Sequence, residues 1–229
     1  LEESHIGRNV VYARGEAACA YDPALTLEQF TRQLIVVENQ YVLVCDDLCS
    51  REPRQFDWLL QTDAPMENTY SGTPAFGNVI GDSRLQLFLA EPARFTAKNL
   101  EQEIVAYPSS STPEWVLRHN QYALVLRTER TPATRFVVAM SAADANAPRL
   151  HIEALNCEGG SAIVIADYVV AFAHPGRGIL RADSFETDAR WIVINRRNGR
   201  FVAGDATRVV IDDQVRRVAT PPATIESAR

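Results

Sequence analysis

RQLIVVENQYVLVCDDL, from Arg32 to Leu48, is apolar almost throughout, yet it opens on an arginine and closes on paired aspartates. Thr31–Val37 and Tyr41–Asp46 are rich in β-branched and aromatic residues, and Glu38, Asn39 and Gln40 separate them. That composition predicts two antiparallel strands joined by a short polar turn. A three-residue loop sets Val37 opposite Tyr41, Val36 opposite Val42, Leu34 opposite Val44 and Arg32 opposite Asp46. A two-residue loop sets Arg32 opposite Asp47 instead. Either register makes a cross-strand charge pair at the open end of the hairpin. In the first, Leu34, Val36, Val42 and Val44 share one face, and Ile35, Val37, Tyr41, Leu43 and Cys45 share the other. Both faces are apolar, so the hairpin is expected to be covered on both sides.

The chain has 229 residues, a formal net charge of −6 and 46% hydrophobic residues. That is enough for one large β domain or two small ones. The acidic balance and the lack of a basic block argue against a nucleic-acid partner. No stretch is long and apolar enough to cross a membrane, and nothing at the start reads as a signal peptide. The chain does not begin with Met, as a mature product or an excised domain would not, so missing targeting signals say little about compartment. Cys19, Cys45, Cys49 and Cys157 have no zinc-site spacing with the scattered His5, His119, His151 and His174. Buried or half-buried thiols are the expectation, with no metal and no cofactor.

Strand-like runs recur along the chain: Asn9–Arg14, Phe56–Thr62, Arg84–Ala90, Tyr122–Thr128, Arg135–Ser141, Ser161–Ala173, Trp191–Arg197 and Thr207–Val218. Turn chemistry separates them, including the Asn198-Gly199 hairpin signal, and helical periodicity is nearly absent. The expected fold is all-β: a large antiparallel β-sandwich of two packed sheets, with room for a smaller C-terminal β unit. Ala142–Leu150 is the candidate internal boundary over residues 1–229. It reads as a linker between two β units or as a long loop in one sandwich, and the second is preferred.

Catalytic motifs are missing: there is no G-x-S-x-G, no phosphate-cradling glycine loop and no H-E-x-x-H. Gly176-Arg177-Gly178 reads as a turn. FDWLLQTD carries more information. Alternation puts Phe56, Trp58, Leu60 and Thr62 on a core face, and Asp57, Leu59, Gln61 and Asp63 on the other. A solvated surface is the ordinary explanation of that second face; the alternative makes Asp57 and Gln61 ligand contacts. Arg32 with its aspartate is by default a structural ion pair, and otherwise the edge of a cleft. Trp58 and Trp191 sit within apolar strands and are expected in the core, whereas Trp115 follows PSSSTPE and is the tryptophan to consider for ligand contact.

The order of features is itself informative. GEAACAYD (Gly15–Asp22) precedes the Arg32 strand, followed by IVVENQYVLVCDDL (Ile35–Leu48), SREPRQFDWLLQTDAP (Ser50–Pro65), RLQLFLAEP (Arg84–Pro92) and TRFVVAMSA (Thr134–Ala142). This resembles the C-terminal β-sandwich region of heparinase II/III-like proteins, most clearly over the first 140 or so residues. The resemblance implies cleavage of uronic-acid polysaccharides by β-elimination, with an N-terminal helical toroid carrying most catalytic groups, including a Tyr and a His. It implies an acidic polysaccharide or oligosaccharide as partner and a periplasmic or secreted location. No stretch here is suited to build such a toroid, so this chain is expected to be the β part and inactive alone. There is one departure. Where the family pattern often has His after the tryptophan strand, this chain has Gln61, which hydrogen-bonds but cannot act as acid or base. On this reading the substrate-binding candidates are Gln61, Asp57, Arg32 and Trp115, and the catalytic residues are unknown. A non-catalytic carbohydrate-binding or structural β-sandwich is the alternative.

Overall fold

The computed structural model describes residues 1–69, 74–106, 117–176 and 178–227. The strands are β1 (Glu3–Ile6), β2 (Val10–Glu16), β3 (Leu27–Val37), β4 (Tyr41–Arg54), β5 (Asp57–Thr62), β6 (Glu67–Asn68) and β7 (Ala75–Ile80). They continue with β8 (Ser83–Glu91), β9 (Phe95–Ala106), β10 (Leu117–Thr128), β11 (Thr131–Asp144), β12 (Ile152–Leu155) and β13 (Gly160–Ile165). The last are β14 (Tyr168–Ala173), β15 (Leu180–Ala182), β16 (Phe185–Thr187), β17 (Trp191–Asn195), β18 (Phe201–Ile211) and β19 (Gln214–Glu226). The helical segments among the described residues are short 3-10 turns at Ala18–Ala20 and Pro23–Leu25.

Three sheets form. A central eight-stranded sheet runs β1-β2-β3-β4-β11-β8-β7-β6, and a small sheet runs β5-β10-β9. A C-terminal sheet runs β12-β13-β14-β17-β18-β16-β15, with β19 added beside β18. The small sheet covers one face of the central sheet through Trp58, Leu124 and Leu126 against Leu87, Leu89 and Phe136. This is the expected sandwich. The C-terminal sheet covers the other face, where Ile35, Val37, Leu43 and Cys45 meet Ile163, Val170, Phe172 and Trp191. It also curls around a core of its own, with Val164, Ile192, Ile194, Phe201 and Val209 inside. The C-terminal unit, with eight strands, is thus larger than the sequence suggests.

The β3–β4 hairpin adopts the three-residue register: Val37 pairs with Tyr41, Leu34 with Val44, and Arg32 with Asp46. Glu38 and Asn39 both take positive φ, 53° and 55°, which lets the chain reverse tightly. Cover of the two faces is unequal. Ile35, Val37, Leu43 and Cys45 are sealed, but Leu34, Val36 and Val42 are only half-buried. The small sheet is three strands wide and does not reach across the whole central sheet.

Two runs that read as single strands are hairpins. Ser161–Ala173 breaks at Ala166 and Asp167 into β13 and β14, and Thr207–Val218 breaks at Asp212 and Asp213 between β18 and β19. Ala166, Asp212 and Asp213 all have positive φ (51°, 50° and 59°), so these turns form without glycine. Asp tolerates that region better than most residues, and Ala166 gives no such signal in the sequence. Of the 142–150 stretch, Ala142–Asp144 end β11, and the remainder carries the chain from the central sheet to β12 of the C-terminal sheet. Arg84 pins it, its Nη1 donating to Ala147 O at 2.6 Å. Trp191 anchors the contact between those two sheets. Its indole stacks on Tyr12 with centroids 4.5 Å apart. A Cβ on Gly204 would stand 2.0 Å from Trp191 Nε1, so only glycine fits beneath the ring.

Candidate functional site

Successive side chains of a strand point to opposite faces, so Asp46 and Asp47 of β4 face different neighbours. Asp46 points toward the small-sheet side. Arg32 of β3 grips it in a fork, Nε donating to Oδ1 at 2.7 Å and Nη2 to Oδ2 at 2.6 Å. The two ends of this pair differ. The Asp46 side chain is 2% exposed and the Arg32 side chain 53%. Burial lifts the Asp46 carboxyl above the usual carboxylate range, outweighing the pull of Arg32. The guanidinium also lies over Phe30, 5.6 Å from the ring centroid.

Asp47 points toward the C-terminal sheet and pairs with Arg135 of β11, at 2.7 Å from Nε and 3.0 Å from Nη2. Both side chains are nearly sealed, at 7% exposure for Arg135 and 9% for Asp47. Arg135 Nη2 also donates to Ala173 O at 2.7 Å, and Nη1 to Ser161 Oγ at 3.2 Å and to Phe172 O at 3.4 Å. This second pair fastens the central sheet to β13 and β14.

Beside Arg32 a crevice of about 570 Å³ opens between the central sheet and the start of β5. Phe30, Arg32, Asp46, Phe56, Asp57 and Trp58 line it, together with Tyr21 and Leu25. Arg54 and Arg130 also line it. Tyr21, Leu25 and Leu59 are 44%, 41% and 56% exposed, so the mouth is apolar and open. The volume lies within the usual span of small-molecule sites. A second cleft, of about 420 Å³, lies between the central and C-terminal sheets and is lined by Gln33, Asp47, His174 and Arg190 among others. Its guanidiniums are largely engaged, Arg190 bonding Glu3 at 3.1 Å and Asp205 at 2.6 Å.

Of the residues singled out in the sequence, Arg32 and Asp57 meet in the open crevice. Asp57 is held by Arg127 of β10 through two contacts of 2.6 Å, and that guanidinium lowers its pKa. Gln61 is exposed on the outer face of β5, four residues beyond Asp57. That is about 13 Å along the strand, and Gln61 is not among the crevice residues. Trp115 lies outside the described residues. Trp58 and Trp191 are core residues, as their runs predict. Sequence reasoning missed Tyr21, Arg54, Arg130 and Arg135. For Arg135 a signal exists: it heads an apolar run, as Arg32 does.

Among the described side chains, the histidines do not gather. His5 Nε2 lies 2.8 Å from Glu226, His151 Nε2 3.2 Å from Glu153, and His174 Nε2 3.4 Å from Ser161 Oγ. Among the described residues, no group of three or more His, Cys, Asp or Glu side chains is arranged to hold a metal ion.

No protein-family model matches the chain, and no curated protein matches it. Solved structures do share its fold. A heparinase III gene product superposes with a TM-score of 0.53 at 14% identity, over 72% of this chain and 25% of that one. Heparan sulfate lyase HepC from Pedobacter heparinus gives 0.53 at 14% identity, over 76% and 27%. A mutant of that lyase gives 0.53 at 13%, over 76% and 27%. This chain therefore spans about a quarter of the length of those proteins. At such identity the likeness establishes an all-β fold shared with part of these lyases.

Proposed function

We propose that residues 1–229 are the β-sandwich portion of a heparinase II/III-like polysaccharide lyase. The chain shapes one wall of a cleft for uronic-acid-containing polysaccharide. A helical toroid, in the same or a partner polypeptide, carries most of the catalytic groups, and the assembly works in the periplasm or outside the cell. The observation that supports this most is the fold shared with about a quarter of two lyases, one of them a heparan sulfate lyase.

The chemistry divides in the same way. β-Elimination requires a neutralised carboxylate, a base at the α-carbon and an acid at the leaving oxygen. The crevice supplies cations for the first task in Arg32, Arg54 and Arg130. It supplies no free carboxylate or imidazole base, because its two carboxylates are tied to arginines and no histidine lines it. Gln61, where the resembled family often has His, cannot move a proton. The test is to express the longer polypeptide that contains this chain and incubate it with heparan sulfate, alginate and chondroitin. Unsaturated uronate is expected to accumulate with at least one. A longer polypeptide with no helical region, inert toward all three, would contradict the reading. That result would favour the carbohydrate-binding or structural alternative, which the presence of Gln61 supports.

A further inference from the structure

The arginines of the open crevice hold more donors than the described residues satisfy. We infer that this crevice is a subsite for one carboxylate- or sulfate-bearing sugar residue, gripped by Arg32 and Arg54 with its apolar side against Tyr21. For its ligand class the inference rests on the lyase reading; for its chemistry it rests on the following geometry.

Three guanidiniums, Arg32, Arg54 and Arg130, line the crevice of a chain whose net charge is −6. Both facing carboxylates are already engaged, Asp46 by Arg32 and Asp57 by Arg127. Asp46 takes Nε and Nη2 of Arg32, which fixes the guanidinium plane. Among the described residues Nη1 has no hydrogen-bond partner, and the side chain is 53% exposed. Asp46 is therefore a positioning residue. Arg54 directs one nitrogen to Ala24 O at 3.2 Å and Arg130 one to Pro53 O at 3.0 Å. One further N–H group on the lining, Arg54 Nε, is buried without a hydrogen-bond partner among the described residues, and Trp58 Nε1 faces the Asp46 carboxylate. A buried orphan donor is costly, and an oxyanion is the acceptor that several donors can share. A bare inorganic anion would satisfy the arginines yet leave Tyr21 and Leu59 facing water. A sugar acid uses both, since its ring has an apolar face and its substituent a charge.

The experiment is calorimetric titration of the purified chain with a glucuronate-containing tetrasaccharide, a neutral glucose tetrasaccharide and sodium sulfate. The acidic tetrasaccharide is expected to bind at least tenfold more tightly than either, and to weaken with added salt. Arg32→Lys keeps the charge but loses the fork, and is expected to weaken binding about tenfold, the scale of one charge-assisted hydrogen bond. Tyr21→Ala alters an exposed ring and is expected to weaken it severalfold without moving the melting temperature. Equal affinity for the acidic and neutral sugars, sulfate binding as tightly as the saccharide, no detectable binding, or both variants binding like the parent would each overturn the subsite. If the longer polypeptide turns over a uronate polymer while this crevice binds nothing, the subsite alone is wrong. If the crevice binds and no assembly has activity, the lyase reading alone is wrong.

Discussion

Asp46 and Asp47 are adjacent on one strand, and each is forked by an arginine, yet the two pairs do different work. Asp47–Arg135 lies between the central and C-terminal sheets, and the remaining donors of Arg135 end on Ser161 and on the carbonyls of Phe172 and Ala173. Asp46–Arg32 is sealed at the carboxylate and open at the guanidinium. Residue type and pairing geometry are nearly the same. What separates a staple from a presented cation is where the other nitrogens of the arginine end, and that is set by what covers each face of the sheet.

The largest expected effect follows from removing the sealed arginine. Arg135→Ala strands a buried carboxylate and should lower stability by about 3–5 kcal/mol, read from the urea midpoint. Arg32→Ala should cost less, about 2 kcal/mol, because water entering the crevice can solvate part of Asp46. Equal losses from the two substitutions would erase the distinction between the pairs.

Titration sharpens the contrast between the carboxylates of the crevice itself. The folded pKa of Asp46 is raised by burial, so the native state holds its proton to higher pH than the unfolded chain. Its contribution to stability is therefore greatest in acid and is lost as pH rises from the unfolded carboxylate range through the folded value. Asp57 is depressed by Arg127, so its contribution is present above the unfolded range and is lost as pH falls toward the folded value. Denaturant midpoints across the acid range should show opposite changes of slope for Asp46→Asn and Asp57→Asn. Slopes of the same sign would contradict this assignment.

The smallest effect is kinetic. Cys45 is fully buried on the face that meets the C-terminal sheet, and burial pushes its thiol well up. The Cys157 thiol is pushed up to about 11. Cys19 is exposed and Cys49 half-buried. A thiol reagent should label Cys19 first, then Cys49, and Cys45 only on unfolding. Early labelling of Cys45 would mean that the C-terminal sheet does not cover that face.

Much of this was legible in local sequence. The polar Glu38-Asn39-Gln40 break and the apolar flanks narrowed the hairpin to two registers, of which the structure takes the one that brings Arg32 to Asp46. Alternation in FDWLLQTD separated buried Trp58 from exposed Asp57 and Gln61. What was not legible depends on distant partners or unmarked turns. Arg135 lies 88 residues from Asp47, and nothing local says that β11 inserts beside β4. The crevice joins Tyr21, Arg54 and Arg130 from three separate segments, so no motif could announce it. The turn at Ala166 uses a residue that carries no turn signal, which hid a hairpin inside an apolar run.

The central claim is that this chain shapes a cleft whose proton transfers are supplied by other residues. It is tested most directly by following the ultraviolet absorbance of unsaturated uronate when the purified chain alone is mixed with heparan sulfate, alginate or chondroitin. The account predicts no increase above the substrate blank with any of the three. Steady turnover, abolished by replacing a tyrosine or histidine within these 229 residues, would contradict it.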